Sequence, residues 1–319
     1  MRRVIGLVLI GIGAFLIVLA PLVRFQVAPS LIAAPADQYG ISKLEAVDAQ
    51  YFSPGDLKVM TGDLDITVTT RGDVAAAEGD RVVWEEAMAV NDVTNQNPLI
   101  NFTERRSAFN KYTGEGVNCC NVNIDKTPVR LQGQIYKWPF DVEKKTYSVF
   151  NSTTGKAFDA KFVGEEQVGG LTVYRFEQSV PATKIDTITA PASVLGMDDP
   201  GDVQVDRIYD GVNTYWIEPV TGSPVRQEQQ RHDVLKTQDG VERSLAFVAT
   251  AKMTQQTQDD LVKNAVDGRN TITLLKTTIP VALLAGGLIL VVVGFLLMRR
   301  RRGRLRGVAL GTSESRPSL

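Results

Sequence analysis

The chain is poor in the residues that carry most enzyme chemistry. It has one histidine, His232, and two cysteines, Cys119 and Cys120, which are adjacent. That supply falls short of the His/Cys clusters that hold structural or catalytic zinc, and of the several crosslinks of a disulfide scaffold. His232 could be paired with Asp233 in a Ser–His–Asp arrangement, yet no G-x-S-x-G elbow accompanies it, and its polar strand setting reads as solvent-facing. H-E-x-x-H, G-x-x-x-x-G-K-[ST] and a strand-linked G-x-G-x-x-G are all missing. Gly11-Ile-Gly13 lies inside an apolar run and cannot be a nucleotide loop. No catalytic residue, cofactor or metal is assigned, and the chain reads as a non-enzyme. Basic excess is also lacking: 35 Lys and Arg face 36 Asp and Glu.

What is abundant is apolar sequence at the two ends. Val4–Val23 and Ile279–Met298 each hold 20 residues without a charge. At about 1.5 Å rise per residue, such a helix reaches about 30 Å, the hydrocarbon thickness of a bilayer. Residues 1–3 form a short N-terminus, 4–23 and 279–298 the two spans, 24–278 a domain between them, and 299–319 a basic tail. Arg2 and Arg3 precede the first span; Arg299–Arg302, Arg304 and Arg306 follow the second. Lipid-proximal positive charge stays in the cytoplasm, so both termini are expected inside a double-pass plasma-membrane protein. The segment Phe25–Thr278 carries 25 basic and 35 acidic residues, a poor match for nucleic acid. A cleaved signal peptide is the rival for the N-terminus, but Ala20 and Ala34, the small residues at its cleavage sites, are each followed by proline. Gly6 and Gly13, like Gly287 and Gly294, are seven apart and share a helix face, so the two spans could pack together. Neither span contains an ionisable group, which argues against an ion path through them.

Between the spans, the pattern is of strands. Leu64–Thr70 alternates apolar and polar, and further runs follow at 81–90, 99–108, 129–138, 146–150, 157–163, 171–180, 203–209, 214–218, 224–234 and 244–253, punctuated by Gly, Pro, Asn and Asp. The fold class is mainly β: an antiparallel, sheet-rich ectodomain with few short helices between two transmembrane helices. Thr214–Glu218 and Val225–Arg231 form a hairpin around Pro219–Pro224, in which Gly222 can take positive φ. The polar return strand belongs at an edge or on a one-sided sheet. Residues 35–50 are expected to form a helix, as is a segment capped at Thr257 and ending near Gly268. Asp198–Asp202 reads as a surface loop.

Three groups are candidate sites. Cys119 and Cys120 could form a strained vicinal disulfide, since neighbouring Cα atoms are about 3.8 Å apart against the about 4.4–6.8 Å of a relaxed bridge; two buried thiols are the alternative. The acids around Asp198–Asp210, and Asn121, Asn123 and Asp125, lack the spacing of a calcium loop and read as solvated turns. Among the strand aromatics, Tyr174, Phe176, Tyr215 and Trp216 could line an apolar groove for acyl chains; core packing is the plainer reading of each.

Several segments carry a family resemblance: the stretch from Thr103-Glu-Arg-Arg through Tyr112-Thr-Gly-Glu-Gly to Cys119, Trp138-Pro-Phe140 with Thr146-Tyr147, Gly164 through Gly169-Gly170 to Phe176, and Tyr215-Trp-Ile-Glu-Pro-Val-Thr-Gly222. With the two-anchor layout, they resemble the actinobacterial porin-PorA family, a domain of unknown function despite its label. The layout is also similar to the scavenger-receptor type, in which two terminal anchors hold a β-rich lipid-binding ectodomain. The resemblance implies an envelope protein without catalytic residues. The expected role is to bind or hand over a lipid or lipoglycan in envelope assembly, with other envelope membrane proteins as candidate partners. The alternatives are a scaffold or regulatory subunit for a glycosyltransferase or transporter, then a hydrolase or pore component. Oligomeric state is left open.

Overall fold

The structure, a computed structural model, describes residues 2–198 and 201–299. The arginine-rich tail after Arg299, and Asp199 of the acidic segment, lie outside the described residues. The chain divides into two compact units, Met1–Ile32 with Thr271–Leu319, and Ala33–Asn270.

In the first unit, α1 (Arg2–Leu22) leads through a π-helical turn at Val23–Val27 into the short α2 (Ala28–Leu31). At the other end of the chain, α3 (Gln255–Thr273) is followed by a π-helical turn at Leu274–Thr278 and then by α4 (Ile279–Arg299). Helices α1 and α4 pack antiparallel through small residues seven apart. Gly6, Gly13 and Ala20 are the buried positions of α1, and Pro280, Gly287 and Gly294 those of α4. A Cβ on Gly13 would lie 2.6 Å from the Gly287 carbonyl oxygen, and one on Gly294 would lie 2.7 Å from that of Gly6. Only glycine allows backbones this close, and a seven-residue repeat is the period of a left-handed supercoil. Beside the pair, Arg24 Nη1 donates to the Lys276 carbonyl at 2.6 Å. The large apolar side chains, Leu7, Phe15, Val18, Leu288 and Phe295 among them, face outward. Both helices are long and apolar enough to cross a membrane.

The second unit is one antiparallel sheet. Its strands are β1 (Tyr39–Ser53), β2 (Lys58–Gly72), β3 (Arg81–Asp92), β4 (Asn97–Asn110), the short β5 (Gly116–Val117), β6 (Asn123–Ile124) and β7 (Thr127–Pro128), then β8 (Tyr147–Asn151), β9 (Lys156–Val168), β10 (Leu171–Pro191), β11 (Asp202–Glu218), β12 (Ser223–Thr237) and β13 (Glu242–Met253). The order is β7-β6-β4-β3-β2-β1-β13-β12-β11-β10-β9-β8, with β5 on β4. Two meanders, β1–β4 and β8–β13, are thus joined where the first strand pairs the last, Leu44 opposite Met253 and Tyr51 opposite Phe247. The sheet curls into a half-barrel. Ladder irregularities at Ala46–Ala49 and Val180–Thr183 supply the bends such curvature needs. At one end, the segment 133–135 bridges the two meanders: Gly116 N donates to Gly133 O and Ile135 N to Gly114 O, while Gln134 N donates to Ser148 O and Phe150 N to Gln134 O.

Several local expectations are corrected. Residues 39–50 are strand, not helix, because β1 has a pairing partner on each side. The run 129–138 is irregular, and its apolar residues Leu131 and Ile135 fill the core without a ladder. The helix expected from Thr257 begins at Gln255, with Thr254 Oγ1 accepting from Thr257 N, and it runs through Gly268 to Thr273. The polar strand β12 is not an edge strand; it lies between β13 and β11, and its polar residues fall on both faces, Gln229, Arg231 and Asp233 on the inner face and Gln230 and His232 on the outer. Gly222 does take positive φ, at 69°.

Candidate functional site

The inner wall of the half-barrel has two chemically different ends. At the bridged end it is filled with aromatic rings. Strand pairing places Phe176 opposite Tyr215, and both project to the inner face with Tyr174. Trp138, from the irregular segment, closes over them, 5.0 Å from the Tyr215 ring and 5.8 Å from Phe176. Tyr147 and Phe162 meet Phe176 edge-on at 5.7 and 5.8 Å, and Tyr174 meets Phe162 at 5.6 Å. Phe176 is fully buried, so this part of the expected groove is packed core. Trp216 is not with the other three. Successive strand residues point to opposite faces, and Trp216 packs outside against Ala265 and Val262 of α3, its Nε1 donating to Glu166 Oε2 at 2.7 Å.

Several polar groups inside this end are paired, whereas Trp138 Nε1 is buried without a hydrogen-bond partner. Gln178 donates to Val149 O at 2.6 Å and accepts from Asn213 Nδ2 at 2.9 Å. Arg105 bonds Glu86 at 2.7 Å and lies 4.4 Å over the Tyr136 ring. Burial opposes the Arg105 charge, but the Glu86 carboxylate more than offsets it and raises the guanidinium above its ordinary value. Burial pushes the Tyr136 hydroxyl up to about 12 and raises Tyr215 further. Lys137 is buried without a carboxylate: Nζ donates to Trp138 O at 2.7 Å, faces the Phe140 ring at 3.7 Å, and burial lowers the amine to about 7.

Away from the bridge, the inner wall is a strip of small residues with a flexible apolar rim. Ala46, Ala49, Ala249 and Ala251 form the floor with Leu64 and Ile66. Met60, Met88 and Met253, opposite Tyr51, Val68 and Leu44, stand half-buried along it with Phe247. Three of the chain's six methionines therefore meet on one surface. Next to Phe247, Asp233 is fully buried and accepts from two guanidiniums: Arg207 Nε at 2.8 Å, and Arg231 Nε and Nη2 at 2.9 and 2.8 Å. Sequence reading missed this trio. Arg231 and Asp233 are two apart on one strand and so share a face, which was legible, but Arg207 joins them only through the β11–β12 register.

His232 points to the outer face, where Nδ1 lies 3.0 Å from Asp210 Oδ1 and both are partly exposed. Its partner is Asp210, not Asp233, beside a shallow depression of about 410 Å³. Cys119 and Cys120 are bridged to each other, in a turn where Cys120 and Asn121 have φ of 58° and 59° and Arg106 Nε donates to Cys120 O. Among the described residues, no cluster of three or more His, Cys, Asp or Glu could hold a metal ion.

A curled antiparallel half-barrel, its inner wall part aromatic core and part methionine-rimmed strip, in a chain with two long apolar helices that suggest membrane anchoring, defines the class of protein. A family model described as Porin PorA matches residues 5–296, and the chain belongs to that family. Its relatives include a Porin PorA of Corynebacterium amycolatum, 24% identical over 201 residues (50% of this chain, 52% of that protein). A Porin PorA of Corynebacterium resistens is 24% identical over 247 residues (57% of this chain, 60% of that protein). The chain thus spans about half the length of these curated relatives.

Proposed function

We propose that this is a non-catalytic cell-envelope protein of the plasma membrane. Both termini are cytoplasmic, and the half-barrel outside takes up the apolar part of a lipid or lipoglycan and hands it on during envelope assembly. The observation that carries this reading is the half-buried apolar strip formed by Met60, Met88, Met253 and Phe247 on the inner wall. Methionine adapts to ligands of varied shape, and anchoring beside a bilayer raises the effective concentration of membrane lipid at the strip. The test is mass spectrometry of lipids retained by the purified full chain: a stoichiometric amphiphile supports the reading, and lipid-free protein refutes it.

The solid aromatic packing around Phe176 favours a second reading, a scaffold for an envelope glycosyltransferase or transporter, which expects a stable partner in pull-downs. The pore that the relatives' description names is not favoured by α1 and α4, whose residues 4–22 and 279–298 carry no charged side chain to line water.

A further inference from the structure

We infer that the inner strip takes a long-chain carboxylate, its anionic head on Arg207 and Arg231 and its tail along the methionine rim, an assignment that rests on the lipid-binding reading above. Charge is the first ground. Two guanidiniums share the single Asp233 carboxylate, so the trio carries one positive charge in excess. Asp233 has no exposure, whereas the Arg207 and Arg231 side chains retain 32% and 21%. The carboxylate is therefore used up in the interior, and the cations keep access to solvent along the inner wall. Each guanidinium bonds Asp233 through Nε and Nη2, leaving Nη1 outside those bonds for a second acceptor. Guanidinium donors match a carboxylate's two oxygens in geometry and charge.

Placement is the second ground. Arg231 lies opposite Ala249 in the β12–β13 ladder, and its guanidinium carbon is 5.2 Å from the Phe247 ring centroid. Ala249 and Phe247 belong to the apolar strip, so charge and strip are continuous on one face. Of the other acids on this face, Glu86 is bonded by Arg105 and Asp92 by Tyr51 and Asn95, and Asp186, opposite Arg207 in the β10–β11 ladder, accepts from the backbone N–H of Thr187. A neutral lipid would satisfy the strip and leave the excess charge unmatched; a fatty acid satisfies both.

The test is photo-crosslinking of the full chain in neutral sugar-detergent micelles at pH 7.5, with a diazirine-bearing palmitic acid and its methyl ester as probes. Labelling is mapped by peptide mass spectrometry and normalised to labelling of α1 and α4, which both probes reach from the micelle. The acid is expected to label peptides containing Met60 and Met253 at least about tenfold more than the ester, the scale of one charge-assisted hydrogen-bonded pair. Arg231→Gln should reduce the acid to the ester's level, and Arg231→Lys should retain most of the difference. Equal labelling of the strip by both wild-type measurements overturns the carboxylate assignment and leaves lipid binding standing. Labelling of α1 and α4 alone, by either probe, overturns both. The acid-to-ester ratio needs no variant, so it stands even if Arg231→Gln fails to fold.

Discussion

Lys137 offers a test of the buried bridge segment with a definite sign. Burial holds its amine near 7, against 10.5 for an exposed lysine. Between those values the unfolded chain binds a proton that the folded chain does not, so stability rises with pH across that window. Below it both states are charged, and the folded state bears the full desolvation penalty. At about 1.4 kcal/mol per pH unit, the penalty has a ceiling near 5 kcal/mol. The Phe140 ring 3.7 Å away favours the cation, and such contacts return about 1–2 kcal/mol, leaving about 3–4 kcal/mol. Lys137→Met keeps the length of the side chain and removes the charge. The variant should be more stable than the wild type by about 3–4 kcal/mol at pH 6.5, and the gap should narrow toward about 1 kcal/mol by pH 9.5. The measurement is denaturant unfolding of the full chain in detergent, followed by tryptophan fluorescence at half-unit steps of pH. Measurements stop there because Tyr51, Tyr136, Tyr209 and Tyr215 are all raised, and ionisation of unfolded tyrosine above pH 10 destabilises in the opposite sense. Parallel stability curves for the two proteins would show that Nζ is solvated and that the segment is not closed over it.

Phe176→Ala removes a fully buried ring that touches Trp138, Tyr147 and Phe162; an expected loss of about 3–5 kcal/mol would be read from thermal unfolding by near-ultraviolet circular dichroism. Asp233→Asn leaves two guanidiniums without their counter-charge and should cost about 3–5 kcal/mol in denaturant unfolding, whereas Arg207→Gln, which leaves a balanced pair, should cost less. Gly13→Leu forces α1 from α4, because its Cβ alone would fall 2.6 Å from Gly287 O, while Gly11→Leu meets nothing within 4 Å. Disulfide formation between cysteines placed at Arg2 and Arg299 should drop in the first variant and persist in the second.

The sequence made periodic features legible. The alternation in Leu64–Thr70 became β2, and the seven-residue glycine spacing became the α1–α4 seam. Features set by distant partners were not. Residues 39–50 contain Ala46, Ala49, Leu44 and Lys43, good helix formers, and are extended because β2 and β13 flank them. Trp216 could have been separated from Tyr215 by strand period alone, but α3, which buries it, is about 40 residues away in sequence. The Arg207–Asp233 contact depends on a register that composition does not encode.

Pairing of β1 with β13 has a consequence for biogenesis. Leu44 meets Met253, so the seam closes only after almost the entire β-rich unit has been synthesised. Until then, the finished β1–β4 meander presents the bare backbone of β1, a template for pairing with any extended segment nearby. Contacts at this sequence separation are slow to form. The nascent chain must therefore wait, half assembled, for its own last strand, and a protein stalled at that stage is a candidate for aggregation or for protection by a chaperone.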